Sequence, residues 1–130
     1  MASGARLTVL ELQPHLAGER DGYTVTLDQE ALSGCNKVLS TSTILLNDTV
    51  DRVLAACRSA RTLAVVGPGA GGLPDPLFER GVTLAGGTAV TDPAAFKAAI
   101  ASGARWTGST RKCAIRRDTY PGFEALLARL

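Results

Sequence analysis

The most constraining feature of this sequence is an unbroken apolar segment, residues 62–66 (TLAVV), that runs directly into a glycine-rich segment, residues 67–72 (GPGAGG). A short apolar run without polar alternation is typical of a strand buried on both faces, as in a parallel sheet covered by helices. Glycine after such a strand permits a tight turn and lets the backbone approach a neighbour or a ligand closely. The two segments together predict a central strand followed by a loop whose backbone is accessible to a neighbour or a ligand.

Other strand and helix signals alternate on both sides of this segment. The predicted strands cover residues 7–12, 37–43, 62–66 and 82–85, the last one stopped by Gly86 and Gly87, and a further strand starts at residues 104–107. A polar loop is predicted between the first two strands. Strands separated by helical stretches of 10–20 residues imply right-handed crossovers and a mainly parallel sheet.

Four helices fill the remaining segments. The first is capped by Asn47 or Asp48 and has apolar residues on one face, namely Val50, Val53, Leu54 and Cys57. A short helix is predicted over residues 74–80. The third runs from Asp92-Pro93 to Gly103, and it is expected to bury Phe96, Ala99 and Ile100. The last covers residues 121–130, with one apolar face formed by Phe123, Leu126, Leu127 and Leu130. The predicted fold is therefore a single α/β domain over residues 1–130, a three-layer Rossmann-like sheet of four or five strands with helices on both faces.

In such sheets, ligands bind beyond the carboxyl ends of the strands. Hydroxyl, amide and glycine residues follow the predicted strands and give the candidate ligand-binding set: Thr41, Thr43, Asn47, Asp48, Thr49, Gly67, Gly69, Gly71, Asp75, Gly86 and Gly87. Glycine admits a ligand to the backbone, and hydroxyls and amides supply directed hydrogen bonds. For any single residue, a turn or a helix cap is the competing interpretation.

Asp75, Asp48 and Glu11 all follow or flank predicted strand ends, so together they could bind a hydrated cation or supply a base. Solvent-exposed or capping carboxylates are the alternative. No nucleophile and base have a recognisable spacing, and no catalytic residue is predicted.

The glycine-rich segment also matches a dinucleotide fingerprint formally, through Gly67, Gly69 and Gly72. Pro74 and Pro76 follow immediately, however, and they disrupt the long helix whose N-terminus would hold a pyrophosphate. A P-loop is excluded because no Gly-Lys-Ser/Thr follows the glycines. No particular cofactor is predicted.

Metal-ligating residues are few. The three cysteines, Cys35, Cys57 and Cys113, are widely spaced, and His15 is the only histidine. A closed zinc site would need all four to converge from the whole length of the chain. We therefore expect free thiols in a reducing, cytoplasmic compartment and no transition metal bound stoichiometrically through cysteine.

The net charge and the lengths of the apolar runs argue against nucleic-acid and membrane partners. The formal net charge is only +2, below the excess that nucleic-acid-binding chains carry, and no apolar run is long enough to span a membrane. We expect no nucleic-acid or membrane partner and no secretion leader. One basic stretch stands out, formed by Arg105, Arg111, Lys112, Arg116 and Arg117. It either holds a phosphate or carboxylate of a ligand or forms a solvated edge.

Four segments, residues 41–49 (TSTILLNDT), 66–69 (VGPG), 73–82 (LPDPLFERGV) and 86–92 (GGTAVTD), together resemble the Rossmann-like domain of the putative heavy-metal chelation family. The resemblance covers nearly the whole chain. It implies a link to metal or corrinoid metabolism, and it implies a binding cleft between this domain and a smaller N-terminal one. A chain that corresponds to the second domain alone is expected to lack half of that cleft.

These observations together predict a small-molecule-binding domain for an anionic metabolite or a metal complex. An enzyme or enzyme subunit in metal- or corrinoid-related metabolism is one alternative, and an interaction module with a vestigial cleft is another. About four helices are too few to cover both faces and both edges of the sheet, so some apolar surface should remain exposed. We therefore expect a homo-oligomer, most simply a dimer, or a complex with a subunit that replaces the N-terminal half.

Overall fold

A computed structural model describes residues 4–130. The strands are β1 (Leu7–Leu10), β2 (Gly18–Arg20), β3 (Tyr23–Thr26), β4 (Lys37–Thr41), β5 (Thr62–Val66), β6 (Leu84–Val90) and β7 (Thr110–Arg116). The α-helices are α1 (Val50–Ala56), α2 (Asp75–Glu79), α3 (Pro93–Ser102) and α4 (Phe123–Leu127). Short 3-10 helices occur at Pro14–Leu16, Gln29–Gly34, Ser42–Leu45, Pro68–Ala70 and Thr107–Ser109. None of the helices in residues 4–130 is long and apolar enough to cross a membrane.

The main sheet has four strands in the order β4-β5-β6-β7. The first three are parallel, and β7 runs antiparallel to β6 from the Leu84–Arg116 pair to the Val90–Thr110 pair. The prediction of a mainly parallel sheet is confirmed. The strand predicted to start at residues 104–107 begins instead at Thr110, after a 3-10 helix, and it reverses direction.

The first predicted strand does not join this sheet. β1 pairs with β3 in a separate three-stranded sheet of order β1-β3-β2. The polar loop predicted before residue 37 was wrong, because β2 and β3 form a hairpin there around Asp21-Gly22. An Asp-Gly pair between two strands is a standard hairpin turn, and Gly22 has the positive φ (83°) that such turns need.

The hydrophobic core lies on one face of the main sheet. Alternate residues of β5 and β6, Leu63, Val65 and Ala85, are 0–2% exposed and pack with buried residues of the helices: Leu32, Ile44, Val53, Leu54, Cys57, Leu77 and Phe78. α1 and α2 cover this face. α3 and α4 bury no side chain.

We call the opposite side of the main sheet the open face; its apolar residues are Leu39, Ala64, Val66, Leu84, Gly86 and Ala114. None of them is buried, and Leu39 is 71% exposed. The predicted second helical layer is therefore missing among residues 4–130. The apolar character of β5 suggested burial on both faces, whereas only one face is covered.

Two further expectations needed correction. β6 does not stop at Gly86 and Gly87 but continues through both to Val90, because β7 pairs with it over its whole length. α3 has the predicted Asp92 cap, whose carboxylate accepts a hydrogen bond from the Ala95 amide (3.0 Å), and it ends at left-handed Gly103. It does not bury Ile100, which is 54% exposed.

Candidate functional site

Three segments meet at one edge of the main sheet. Because β4, β5 and β6 are parallel, their carboxyl ends lie together, and so do the segments that follow them. The 3-10 helix Ser42–Leu45 after β4 packs on Pro68–Ala70 after β5, and Pro68–Ala70 packs on β6. The structure thus brings the predicted segments 41–49 and 67–72 to a shared edge.

Ser42 joins the first two segments. It is buried, and a Cβ on Gly67 would collide with its hydroxyl oxygen. A Cβ on Gly69 would lie 3.2 Å from the same oxygen. Gly67 also has φ 142°, a conformation that side-chain-bearing residues rarely adopt. The two glycines therefore let the loop pack against Ser42.

The third segment is joined through a second glycine contact. A Cβ on Gly87 would lie 2.6 Å from the Gly71 Cα, and a Cβ on Gly71 would lie 3.2 Å from the Thr88 carbonyl oxygen. Gly86 faces the open face, where the nearest neighbour of a Cβ would be the Val66 side chain at 3.0 Å. Of the two predicted β6 glycines, Gly87 packs against the Gly71 backbone, whereas Gly86 contacts the loop through its carbonyl, which accepts a hydrogen bond from the Gly67 amide (2.8 Å).

We call the contacts of Ser42 with Gly67 and Gly69, and of Gly71 with Gly87, the packed base. Several polar groups lie outside it. Thr41, Thr43, Asn47 and Asp48 are all exposed. The Thr49 hydroxyl donates to the Asn47 side-chain oxygen (2.6 Å), and Thr49, rather than Asn47 or Asp48, occupies the cap position of α1. Asp48 has φ 57°, the only positive φ of a non-glycine residue in the described chain. The Asn47–Thr49 hydrogen bond therefore spans a tight left-handed turn.

One buried polar atom at this edge has no hydrogen-bond partner. The Thr88 hydroxyl oxygen is shielded from solvent but unpaired within residues 4–130. An unpaired buried hydroxyl costs free energy that a bonded partner would recover. Thr88 alternates with Gly87 along β6, so its side chain lies on the open face, at the carboxyl end of the strand, and not on the side where Gly87 meets the loop.

Asp75 is engaged elsewhere. Its carboxylate accepts hydrogen bonds from the Tyr120 hydroxyl (2.7 Å) and the Phe123 amide (2.9 Å). These two bonds lower the pKa of Asp75, while burial and the neighbouring carboxylate raise the pKa of Tyr120. The Tyr120 ring also packs edge-on against Phe78 (5.6 Å between centroids). We call this contact the C-terminal clasp, because it holds the segment after β7 against α2.

The three carboxylates proposed as a cation or base site do not converge. Glu11 follows β1 in the small sheet, where its side chain accepts from the Leu12 amide (2.7 Å), and Asp75 belongs to the C-terminal clasp. Asp48 alone remains at the carboxyl edge. Sequence could not reveal this, because the Asp75 partner Tyr120 is 45 residues away.

Metal ligands are equally dispersed. Within residues 4–130, no group of three or more histidine, cysteine, aspartate or glutamate side chains could hold a metal ion. Cys57 is buried, and its thiol pKa is raised by that burial and by nearby Cys35. Cys113 lies on β7, and His15 is exposed in the small-sheet region. The donor set does not fit a metal held by side chains.

The residues of the basic stretch that lie on β7 project alternately to its two faces. Lys112 and Arg116 project from the open face, whereas Arg111 alternates with them on the other side of β7. Arg116 pairs with Asp118 (2.8 Å), and that pairing lowers the pKa of the aspartate. The five cations do not form one anion site.

Two shallow grooves flank α1, at a place that sequence analysis did not single out. One, of about 560 Å³, is lined by Gln29, Glu30, Ser33, Arg52, Ala55, Ala56, Arg58 and Ser59. The other, of about 380 Å³, is lined by Asp51, Leu54, Ala55, Arg58, Glu79 and Arg80. Asp51 and Arg80 form an ion pair across the second groove (2.6 Å). Neither groove contains a predicted site residue.

Comparisons with known proteins agree with this architecture. A crystal structure from Pyrococcus horikoshii, described as a protein of unknown function from the DUF364 family, has a TM-score of 0.65 at 16% identity; the match covers 85% of this chain and 55% of that one. A second, from Desulfitobacterium hafniense and similarly described, has a TM-score of 0.65 at 25% identity, with 88% and 53% coverage.

This chain thus spans about half the length of the two solved structures. No curated protein matches it. The family model described as putative heavy-metal chelation matches residues 1–118, nearly the whole sequence. The chain therefore belongs to the putative heavy-metal chelation family, DUF364.

Proposed function

We propose that residues 1–130 form one ligand-binding domain that holds an anionic metabolite or a metal complex at the carboxyl edge of the main sheet. The observation that carries this proposal is the convergence of three segments at that edge, through the contacts of Ser42 with Gly67 and Gly69 and of Gly71 with Gly87. Ligands of parallel α/β sheets bind at this edge.

The proposed contacts come from the exposed polar groups above the packed base. They are the hydroxyls of Thr41 and Thr43, the side chains of Asn47 and Asp48, and the backbone of Gly69. The buried Thr49 hydroxyl orients the Asn47 side chain, and the Gly67 and Gly71 amides already donate to carbonyls within the chain. The hydroxyl, amide and backbone N–H groups suit a carboxylate, a phosphate or the periphery of a complex, whereas the Asp48 carboxylate only accepts hydrogen bonds and suits a donor group of the ligand. Gly87 shapes the base through its contact with Gly71, and Gly86 contributes its carbonyl, which accepts from the Gly67 amide. Asp75 is left out because its carboxylate already has two partners.

The family description refers to heavy-metal chelation, while the described residues contain no three-donor group. In this proposal a metal arrives as a complex whose own ligand holds it. The protein then contributes hydrogen bonds to the outside of the complex. This distinguishes the proposed site from a zinc or iron centre built from cysteine and histidine.

The test starts with native mass spectrometry of protein purified from its source, which reports any retained ligand. The second step is a thermal-shift screen of phosphorylated and carboxylated metabolites, free and as metal complexes. We expect a stabilising compound whose affinity falls about tenfold in Asn47→Ala and in Thr43→Val, since a hydrogen bond to a charged group contributes about 1.5–3 kcal/mol.

Thr62→Val is the matched control. Thr62 is also exposed, but it begins β5 and so lies at the opposite edge of the same sheet. Its affinity for the compound should equal that of the unmodified protein. Equal affinity in all three variants, or a loss confined to Thr62→Val, would refute the carboxyl-edge site.

A further inference from the structure

The open face is an apolar surface without a covering layer. Leu39 is 71% exposed there, and Ala64, Val66 and Leu84 on the neighbouring strands are only partly covered. None of these residues packs against the hydrophobic core. A contiguous exposed apolar patch on a sheet marks an interaction surface, because removing it from water is favourable by roughly 25 cal/mol per Å².

The charged side chains carried by the four strands have one sign. β4, β5, β6 and β7 contain four cationic residues, Lys37, Arg111, Lys112 and Arg116, and no aspartate or glutamate. Lys37 projects from the open face on one outer strand, and Lys112 and Arg116 project from it on the other. Within residues 4–130, Arg116 alone of these four pairs with an acid, Asp118. The apolar centre is therefore bordered by cations on both sides.

The shape of the face fits one helix. Four strands spaced about 4.8 Å apart span about 14 Å, and an α-helix with its side chains is about 10–12 Å wide. Ala64, Gly86 and Ala114 are small residues on adjacent strands, so a partner backbone can approach closely there. The larger side chain of Leu39 stands at one side of this shallow centre.

Other occupants fit the charges or the chemistry less well. A second copy stacked on this face would bring more cations and no strand carboxylate to pair with Lys37 or Lys112, and like charges repel. The four strands carry no aromatic side chain on which nucleic-acid bases could stack. An acidic polypeptide satisfies both the apolar centre and the basic border.

We propose that the open face docks an amphipathic helix of a partner polypeptide, with its apolar stripe on Leu39, Ala64, Val66 and Leu84 and its aspartate or glutamate residues beside Lys37 and Lys112. Helix docking of this kind depends on apolar residues at i, i+3, i+4 and i+7. The flanking carboxylates set the orientation and the choice of partner more than the affinity.

The test uses two synthetic helical peptides that share one leucine stripe, flanked by glutamate in the first and by lysine in the second. Binding to the full chain is measured by calorimetry and by methyl NMR shifts of Leu39, Val66 and Leu84. We expect the glutamate peptide to bind at least about tenfold more tightly, and Leu39→Glu to weaken it by a further factor of about ten or more. The double charge reversal Lys37→Glu, Lys112→Glu should exchange the preference of the two peptides.

Leu46→Glu is the matched control, because Leu46 is 80% exposed but lies on the segment after β4, off the open face. It should bind the glutamate peptide normally. Circular dichroism of each variant confirms that the fold is retained. Equal binding of both peptides, or methyl shifts outside the open face, would overturn the proposal.

Two further outcomes would also reject it in favour of another occupant. The first is concentration-dependent dimerisation in sedimentation that Leu39→Glu abolishes, which would identify a second copy. The second is binding to vesicles of anionic phospholipid that Leu39→Glu abolishes while neither peptide binds.

Discussion

The two faces of the main sheet are built by the same strands, yet they have different environments. On β5, Leu63 and Val65 are 2% and 0% exposed, while Ala64 and Val66 between and beyond them are partly exposed. The sequence of β5 is apolar on both faces. An unbroken apolar strand therefore does not indicate that the same chain covers both of its faces.

Two adjacent glycines of β6 show the same difference at atomic scale. Gly87 faces the core side, where its missing side chain makes room for the Gly71 backbone. Gly86 faces the open side, where the nearest neighbour of a Cβ would be the Val66 side chain. One glycine is required by packing inside the chain, and the other leaves a flat place that a partner can use.

The largest expected contrast between the faces comes from one substitution made on each. Leu63→Ala removes a buried side chain and should lower the free energy of unfolding by about 2–5 kcal/mol. Leu39→Ala, on the neighbouring strand but 71% exposed, should change it by less than about 0.5 kcal/mol. Urea unfolding monitored by circular dichroism measures both. Similar losses for the two variants would mean that the open face is covered within the chain.

The glycine pair gives a smaller contrast. Gly87→Ala places a methyl group 2.6 Å from the Gly71 Cα, which is backbone and cannot move alone, so we expect a loss of about 1–3 kcal/mol. Gly86→Ala needs only a shift of the Val66 side chain, so its effect should stay below about 1 kcal/mol. The same unfolding experiment compares them. A larger loss for Gly86→Ala would contradict the assignment of the two faces.

Much of the fold was predictable because the signals were local. Asp92 and Gly103 mark the ends of α3 by their own chemistry, and the short helix over residues 75–79 was also anticipated. Several errors concern pairing between distant segments. No local sequence signal indicates that β1 pairs with β3, or that pairing with β7 lets β6 continue through two glycines. The Asp21-Gly22 turn was a local hairpin signal that the sequence analysis missed.

The carboxyl edge was predictable for a related reason. Parallel strands place their ends together whatever follows them, so segments 41–49 and 67–72 had to share an edge. The specific partners within that edge were not predictable. Ser42 was not among the candidate residues, although it is the side chain against which Gly67 and Gly69 pack. A buried serine after a strand is visible only once its neighbours are known.

The smallest expected effect concerns the C-terminal clasp, which protects the covered side of the sheet near Phe78. Hydrogen bonds from Tyr120 and Phe123 lower the pKa of Asp75, so the folded protein binds the Asp75 proton less readily than the unfolded chain does. The stabilisation is therefore fully present above the ordinary carboxyl pKa of about 3.9, and it disappears as the pH falls below that value through the lowered pKa of the folded state.

Asp75→Ala should be less stable than the unmodified protein at neutral pH. The difference in unfolding free energy between the two proteins should shrink as the pH is lowered. Glu79→Ala, at the other end of α2, is the control for a substitution in this helix that leaves both hydrogen bonds to Asp75 in place. If the Asp75→Ala difference persisted unchanged into strong acid, the carboxylate would not be the group that holds the C-terminal segment.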